Sequence, residues 1–416
     1  MLPLTLLVAL FFVYTLLSRR LEQTILTAPI LFTVAGMLLF PLLPAFVKLG
    51  LNSQVFLRLA ELGLVLLLFT DASRTDLSVL RRAEALPARL LSVGMLLTIA
   101  AGAIAAKLIF PALSVWEAGI LGAILAPTDA GLGQIIVSSA RVPMKIRQAL
   151  NVEAGLNDGL SVPFMLFFMT LAAAKSEGGA ASLMQYMVEQ LGLGAVIGIS
   201  VGLLGGALLA FAQRRAWVAK SFLKIGVVAL PLLCMLFSEM ADASMFIASF
   251  VAGLAVQVTF KEASQQSVEF AEEWGQVLNL SVFALFGIIV VRDFSHFGAR
   301  FWIYAVISLT VVRMLPVALA LIGTRLSTAS VLFMGWFGPR GLASIVLGLV
   351  YLEQELHLPG EDIVRAAVMV TVLLSIFAHG LTATPGINWY TRTIASLGND
   401  APERQELPTR SAAVQA

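Results

Sequence analysis

Cysteine and charged residues are both scarce in this sequence. The 416 residues contain a single cysteine, Cys234, which excludes an internal disulfide and a thiolate metal cluster. Only 12% of the residues are charged, against about 25% in ordinary soluble chains, while 59% are hydrophobic. A soluble fold cannot bury that much apolar surface. The net charge of +2 gives no indication of a nucleic-acid partner.

Apolar stretches of membrane-spanning length recur along the whole chain. About 20 helical residues cross a hydrocarbon core of about 30 Å, and these stretches lack the alternation of barrel strands. We therefore predict an all-α membrane protein with a transmembrane domain over 1–394 and a short, polar, disordered tail over 395–416. The first stretch has no basic segment before it and no clear cleavage site after it, so we expect it to be retained. The 13 predicted spans are 2–17, 25–44, 55–70, 90–110, 117–137, 147–174, 184–212, 221–240, 244–260, 274–291, 301–323, 328–352 and 366–390.

The distribution of lysine and arginine predicts the orientation. The loops and span edges after odd-numbered spans hold 15 basic residues, and those after even-numbered spans hold six. Basic loops remain in the cytoplasm. The N-terminus is therefore predicted outside and the tail in the cytoplasm, in a plasma (inner) membrane.

Several ionisable residues fall at membrane depth. They include Asp129, Glu153, Asp158, Arg313 and Arg340. A charge at the bilayer centre costs at least ~2.5–3.5 kcal/mol on insertion scales, so such residues face a protein interior or a water-filled path. These residues are the candidates for function.

The fifth span contains Ala126-Pro127-Thr128-Asp129, followed by Gly131 and Gly133. Proline and glycine at these positions predict a break in the helix. A broken helix exposes carbonyl groups and helix ends that suit a cation. The alternative is a proline kink in which Asp129 serves only as a cap.

The sixth span contains Glu153, Asn157 and Asp158. Glu153 and Asn157 are four residues apart and share a helix face, and Asp158 points to an adjoining sector. The alternative is a solvated helix end, but the apolar run from Pro163 to Leu171 favours a deep position.

The twelfth span contains Gly338-Pro339-Arg340-Gly341, which again combines helix breakers with a charge. A simple kink with an interfacial arginine is the alternative. Breaks in spans five and twelve are seven helices apart, which suggests two inverted six-helix repeats with two broken helices that cross near the midplane.

Arg340 needs an anionic partner in a dry interior. We predict a structural ion pair between Glu153 and Arg340, which leaves Asp158 and Asp129 free for the ion. Arg313 is a competing partner of Glu153 or a second clamp, and the sequence does not decide between them.

Taken together, these motifs resemble the sodium/proton exchangers of the cation:proton antiporter-1 family. The resemblance covers most of the membrane region, and its Asn-Asp and Gly-Pro-Arg-Gly elements are specific. The matching stretches are Leu62 to Asp71, Ala126 to Asp129, Glu153 to Gly159, Phe246 to Leu254 and Gly335 to Gly341.

The resemblance implies a 13-helix homodimer with a dimerisation domain and a six-helix core that moves. By the same resemblance, Asp158 would bind the cation or proton, Asp129 and Thr128 would line the site, and Asn157 would indicate electroneutral exchange. Glu153 would pair with Arg340. The short tail departs from many relatives, and this departure places regulation by a tail in doubt.

The expected function is exchange of a monovalent cation, Na⁺ or else K⁺ or Li⁺, for H⁺ by alternating access, with no cofactor and no enzymatic activity. Asp158 and Asp129 are the expected cation ligands. A monovalent cation channel is the alternative, although no filter-like repeat is present. An intramembrane enzyme is disfavoured because His296 and His357 lie in predicted loops and His379 stands alone in the last span.

Overall fold

The computed structural model describes residues 2–21, 24–40, 53–74, 86–177, 180–260, 264–354, 356–397 and 401–403. These residues form helices and connections, without a β-strand among them. The helices are α1 Leu2–Leu21, α2 Ala28–Leu39, α3 Ser53–Arg74, α4 Leu86–Ile109, α5 Val115–Ile124, α6 Ala130–Ser138, α7 Met144–Glu177, α8 Ala180–Ser200, α9 Lys220–Met240, α10 Met245–Thr259, α11 Ser264–Asp293, α12 Ala299–Leu309, α13 Val311–Ala320, α14 Thr328–Trp336, α15 Leu342–Glu353 and α16 Glu361–Ala395. A π-helical turn at Val201–Gly205 continues α8 into a last helical segment, Gly206–Arg214.

Seven helices in the described residues are long and apolar enough to cross a membrane. There are also shorter apolar helices: α2 precedes all seven in the chain, and α5, α10 and α15 lie between them. The prediction of an all-helical, multi-pass membrane protein is thereby confirmed. The count of 13 spans remains a prediction.

The helices pack into two bundles. In the first, which we call the scaffold bundle, α11 lies against α2 and α3, and α10 lies against α3, α8 and α9. The ring of Phe11 on α1 contacts that of Phe32 on α2, which adds α1 to this bundle. In the second, the core bundle, α5 lies between α4 and α7, and α16 contacts α12, α14 and α15.

The two predicted helix breaks are present, one in each half of the core bundle. The fifth span is divided into α5 and α6 by a non-helical segment that ends at Asp129, and the twelfth into α14 and α15 by residues 337–341. Pro127 and Pro339 lie within these segments and cannot donate a backbone hydrogen bond, so the helical ladder ends there. A third interruption, at Thr310, separates α12 from α13 inside the predicted eleventh span.

Part of the predicted tail has a defined contact. Glu403 is 2% exposed and lies at the start of α14. Its side chain accepts hydrogen bonds from the backbone N–H of Ser327, at 2.7 Å, and from the hydroxyl of Ser330, at 2.8 Å. Disorder is therefore wrong for Glu403; residues 398–400 and 404–416 lie outside the described residues.

Candidate functional site

The two helix breaks cross, and Asp129 joins them. Its Oδ1 accepts the backbone N–H of Leu132 at 2.8 Å, which caps α6. Its Oδ2 accepts the N–H of Leu342, the first residue of α15, at 2.7 Å. The N–H of Asp129 in turn donates to the carbonyl of Pro339 at 2.8 Å. Because free N–H groups at a helix start need acceptors, one carboxylate stabilises the start of two helices.

This crossing depends on the absence of a side chain at Gly341. A Cβ atom built there would overlap the carboxylate of Asp129. Ser344, in the first turn of α15, donates its hydroxyl proton to the carbonyl of Ile124 at 2.8 Å. The second break is therefore held directly against the first.

Arg340 is fully buried at the same crossing. Its Nη1 donates to the carbonyls of Ala126 and Pro127, at 2.6 and 2.8 Å. These are carbonyls that the first break frees, and the sequence predicted that they could bind a cation. In this structure a guanidinium group binds them instead.

The predicted pair of Glu153 with Arg340 is wrong. Glu153 forms a two-point ion pair with Arg313, from Nη1 to Oε1 at 2.6 Å and from Nη2 to Oε2 at 2.9 Å. Gly338 allows this arrangement, since a Cβ at that position would overlap the guanidinium group of Arg313. Arg313, the competing partner that the sequence left open, is thus the one that pairs.

Thr128, Asn157 and Asp158 form a buried polar group beside the crossing. The Asn157 amide nitrogen donates to the Thr128 hydroxyl at 2.7 Å. Thr128, Asn157 and Asp158 are only 2–4% exposed. Within the described residues, Oδ1 of Asn157 and Oδ1 of Asp158 have no hydrogen-bond partner. Buried acceptors are normally satisfied, so these two oxygens on adjacent residues are available to accept from a ligand that carries positive charge.

A cleft of about 610 Å³ leads toward the start of α6, beside Asp129, from the side where α1 ends and α2 begins. Its walls come from both bundles and include Tyr14 and Thr27 of the scaffold and Gln134 of the core. It also reaches Gly131, which neighbours the Asp129 carboxylate, and Asn279. Sequence analysis missed Asn279, although its signal was an amide within the apolar run Val277 to Ile289.

A second cleft, of about 450 Å³, opens between the bundles where α3 begins and α15 ends. Its lining includes Glu61, Glu239 and Glu353, and Arg58 forms ion pairs with the first two. Val162, one turn after Asp158 on α7, also lines it. The cleft does not reach Asp158, and beside Asp158 the ring of Phe250 packs where a Cβ of Gly159 would lie, so α10 and α7 are in apolar contact there.

Comparison with known proteins assigns the chain to a family. The family model described as "Sodium/hydrogen exchanger, transmembrane" matches residues 6–389. The chain belongs to this family. The resemblance predicted from the motifs is thereby confirmed over nearly the whole membrane region.

Two curated relatives illustrate the range of the family. The chain is 27% identical over 383 residues to the K(+)/H(+) antiporter NhaP of Alkalimonas amylolytica, with 91% of this chain and 64% of the relative covered. It is 28% identical over 272 residues to the Na(+)/H(+) antiporter 2 of Zygosaccharomyces rouxii, with 61% and 34% covered. The chain thus spans less than two thirds of the length of either relative.

The fold also matches a solved structure. The sodium proton antiporter MjNhaP1 from Methanocaldococcus jannaschii aligns with a TM-score of 0.72 at 19% identity, covering 93% of this chain and 97% of that one. At this identity the match supports the fold alone. This chain therefore shares the overall fold of that protein.

Proposed function

We propose that the protein exchanges a monovalent cation, Na⁺ or else K⁺ or Li⁺, for H⁺ across the membrane. The observation that carries this proposal is the pair of unpartnered, buried oxygens on Asn157 and Asp158 at the helix crossing. A buried carboxylate needs either a bound proton or a nearby cation to compensate its charge. A proton and a cation at Asp158 therefore exclude each other, which is the requirement for exchange.

The residues around Asp158 have different roles in the proposed site. Thr128 and Asn157 supply neutral oxygens that can contact a cation, and Asp129 stabilises the two helix starts through both of its carboxylate oxygens. We propose Asp158 as the principal ligand for cation and proton. Asp129 contributes negative charge to the site while it caps the two helices.

The two clefts support alternating access. One cleft reaches the neighbourhood of Asp129, while the other does not reach Asp158, beside which Phe250 packs against α7. Both clefts lie between the scaffold and core bundles. Movement of the loaded core along the scaffold would therefore close the first and open the second, and an empty, ionised site would move poorly because its charge is uncompensated.

The finer features of the assembly belong to the same proposal. We propose 13 membrane spans in two inverted repeats, a homodimer formed through the scaffold bundle, and a plasma-membrane location with the tail in the cytoplasm. The basic loops support this orientation. Exchange is proposed to be electroneutral, as Asn157 and the family resemblance imply.

The test is exchange in proteoliposomes. An internal pH dye reports proton movement while Na⁺, K⁺ or Li⁺ is added to wild type and to Asp158→Asn. We expect a saturable response in wild type that is absent in the variant, because the amide cannot exchange a proton for a cation. The matched control is Asp293→Asn, at the end of α11, which pairs with Arg292 and should retain exchange.

The outcome separates the proposal from a channel. A channel would pass the cation without an obligatory counter-movement of protons, so its flux would carry a net current and would not saturate as exchange does. Lack of response to all three cations in folded wild-type protein would contradict the proposed function.

A further inference from the structure

Ser375 and His379 of α16 lie beside the second break and belong to none of the groups described above. They are 0% and 2% exposed. They are four residues apart and so share one face of the helix. Two polar side chains on one buried face need partners, and these partners lie in the broken helix.

The hydrogen bonds form a chain across the break. The backbone N–H of Arg340 donates to Ser375 Oγ at 2.6 Å. Ser375 Oγ lies 3.0 Å from Nδ1 of His379, and Nε2 of His379 lies 2.9 Å from the carbonyl oxygen of Trp336. Nδ1 also lies 3.0 Å from the carbonyl oxygen of Ser375, so each ring nitrogen faces one carbonyl. We assign the proton of the neutral ring to Nε2, which then donates to the Trp336 carbonyl while Nδ1 accepts the proton of the Ser375 hydroxyl.

The ends of this chain are the two ends of the unwound segment. Trp336 is the last residue of α14, and Arg340 lies two residues before α15 begins. Helix termini leave carbonyl and N–H groups without partners, and such groups are unfavourable in a dry interior. Ser375 accepts the N–H of Arg340, and His379 contacts the Trp336 carbonyl, which also accepts the N–H of Gly338 at 2.9 Å. Both contacts attach the segment to α16.

The segment held in this way forms one wall of the proposed ion site. The carbonyl of Pro339 accepts the N–H of Asp129, and the side chain of Arg340 binds the carbonyls of the first break. A shift of the Arg340 backbone would therefore move both Asp129 and the residues beside Thr128.

We propose that Ser375 and His379 are positioning residues of the ion site, which fix the unwound segment so that the site has its full affinity for the cation. This inference rests on the proposed function. All the bonds in the chain lie within the core bundle, so movement of that bundle as a unit leaves them unchanged. Loss of the chain should consequently weaken cation binding more than it slows turnover.

The experiment measures the apparent KM for the cation and the maximal rate separately, in proteoliposomes. The variants are Ser375→Ala, His379→Ala and His379→Gln. We expect Ser375→Ala and His379→Ala each to raise KM about five-fold, the size expected for one lost hydrogen bond, with a maximal rate within about two-fold of wild type. His379→Gln retains an N–H donor for the Trp336 carbonyl and should recover part of the loss.

Two comparisons make the test specific. Thr382→Val is the matched control on the same helix, because it removes the bond from the Trp336 indole to Thr382 without touching the backbone of the break. Its KM should equal that of wild type. The double variant of Ser375 and His379 should resemble either single variant, since the chain acts as one unit.

An unchanged KM in folded Ser375→Ala protein would overturn the proposal, and so would an equal rise in Thr382→Val. Hydrogen–deuterium exchange tests the positioning role even if the wild type exchanges no cation. The peptide that contains the Arg340 amide should exchange faster in Ser375→Ala than in wild type and in Thr382→Val. Equal exchange in the three proteins would contradict the inference.

Discussion

Arg313 of α13 and Glu153 of α7 form a two-point ion pair that is almost completely buried, with side chains 4% and 3% exposed. The two residues are 160 positions apart in the sequence, and their pair joins two helices of the core bundle. Because Glu153 is compensated by Arg313, Arg340 is available to bind the backbone of the first break. Arg313 thus stabilises the core bundle through Glu153, while Arg340 holds the first break through its backbone carbonyls.

Substitution of either member of this pair should destabilise the protein strongly. Glu153→Gln or Arg313→Gln leaves one charge buried without its partner, which costs about 3–5 kcal/mol in comparable cases. We expect a large fall in the melting temperature in detergent, followed by intrinsic tryptophan fluorescence. The double variant Glu153→Leu with Arg313→Met should be less destabilised than either single variant, since neither charge remains.

A double-mutant cycle checks which arginine is the partner. The coupling energy between positions 153 and 313 should exceed that between positions 153 and 340. A stronger coupling to Arg340 would restore the pairing that the sequence predicted.

Local chemistry explains why the sequence predicted the two breaks and the polar group beside them. Pro127 and Pro339 lack the N–H group that a continuous helix requires, and this property needs no knowledge of the tertiary structure. Asn157 and Asp158 were found because polar residues in an apolar span are rare. In both cases the signal lay within a few residues of the feature.

The partners of buried charges could not be predicted in the same way. Whether Glu153 meets Arg313 or Arg340 depends on the rotation of α7 and on the close approach that Gly338 permits. The role of Asp129 at the start of α15 likewise depends on a contact with Leu342, which is 213 positions away in the sequence. The pair of Ser375 and His379 did carry a local signal, a spacing of four in an apolar span, which was missed when His379 was considered alone.

Gly341 should not tolerate a methyl group. In Gly341→Ala the new Cβ would overlap the Asp129 carboxylate, so the two breaks would have to separate. We expect loss of exchange together with a lower melting temperature. Gly133→Ala is the matched control, because a Cβ there meets nothing within 4 Å and alanine favours the helix by about 1 kcal/mol. Equal activity of the two variants would contradict the close crossing of the breaks.

Glu403 should contribute to stability in a pH-dependent way. Burial opposes its ionisation, but hydrogen bonds from Ser327 and Ser330 outweigh that effect and lower the pKa of the carboxyl group below its ordinary value. A group with a lowered pKa stabilises the folded protein above the unfolded-state pKa, and the contribution is lost as the pH falls through the folded-state pKa.

Glu403→Gln should accordingly lower the melting temperature at pH 7, and its effect should decrease as the pH falls below 4.5, the ordinary pKa of a glutamate carboxyl group. Melting curves of both proteins from pH 4 to pH 8 measure this difference. Glu273→Gln, a surface carboxylate on α11, is the control and should show no such trend. A difference that is constant with pH would mean that Glu403 acts through packing and not through its charge.

The two clefts should be accessible from opposite sides of the membrane. The only cysteine, Cys234, is buried, so Cys234→Ala provides a background without thiols. Gln134→Cys then places a thiol in the first cleft and Glu239→Cys places one in the second, at positions where the native side chains are exposed. A membrane-impermeant thiol reagent should modify position 134 only from the cytoplasm and position 239 only from outside.

The pattern of labelling distinguishes three arrangements of the protein. If position 134 reacts only from outside and position 239 only from the cytoplasm, the orientation predicted from lysine and arginine is inverted. The fold itself would not be contradicted by that result. Labelling of each thiol from both sides would indicate a continuous aqueous path, as in a channel, and would contradict alternating access. If the cation protects position 134 but not position 239, the first cleft is the one that communicates with the occupied site, as expected from its approach to Asp129.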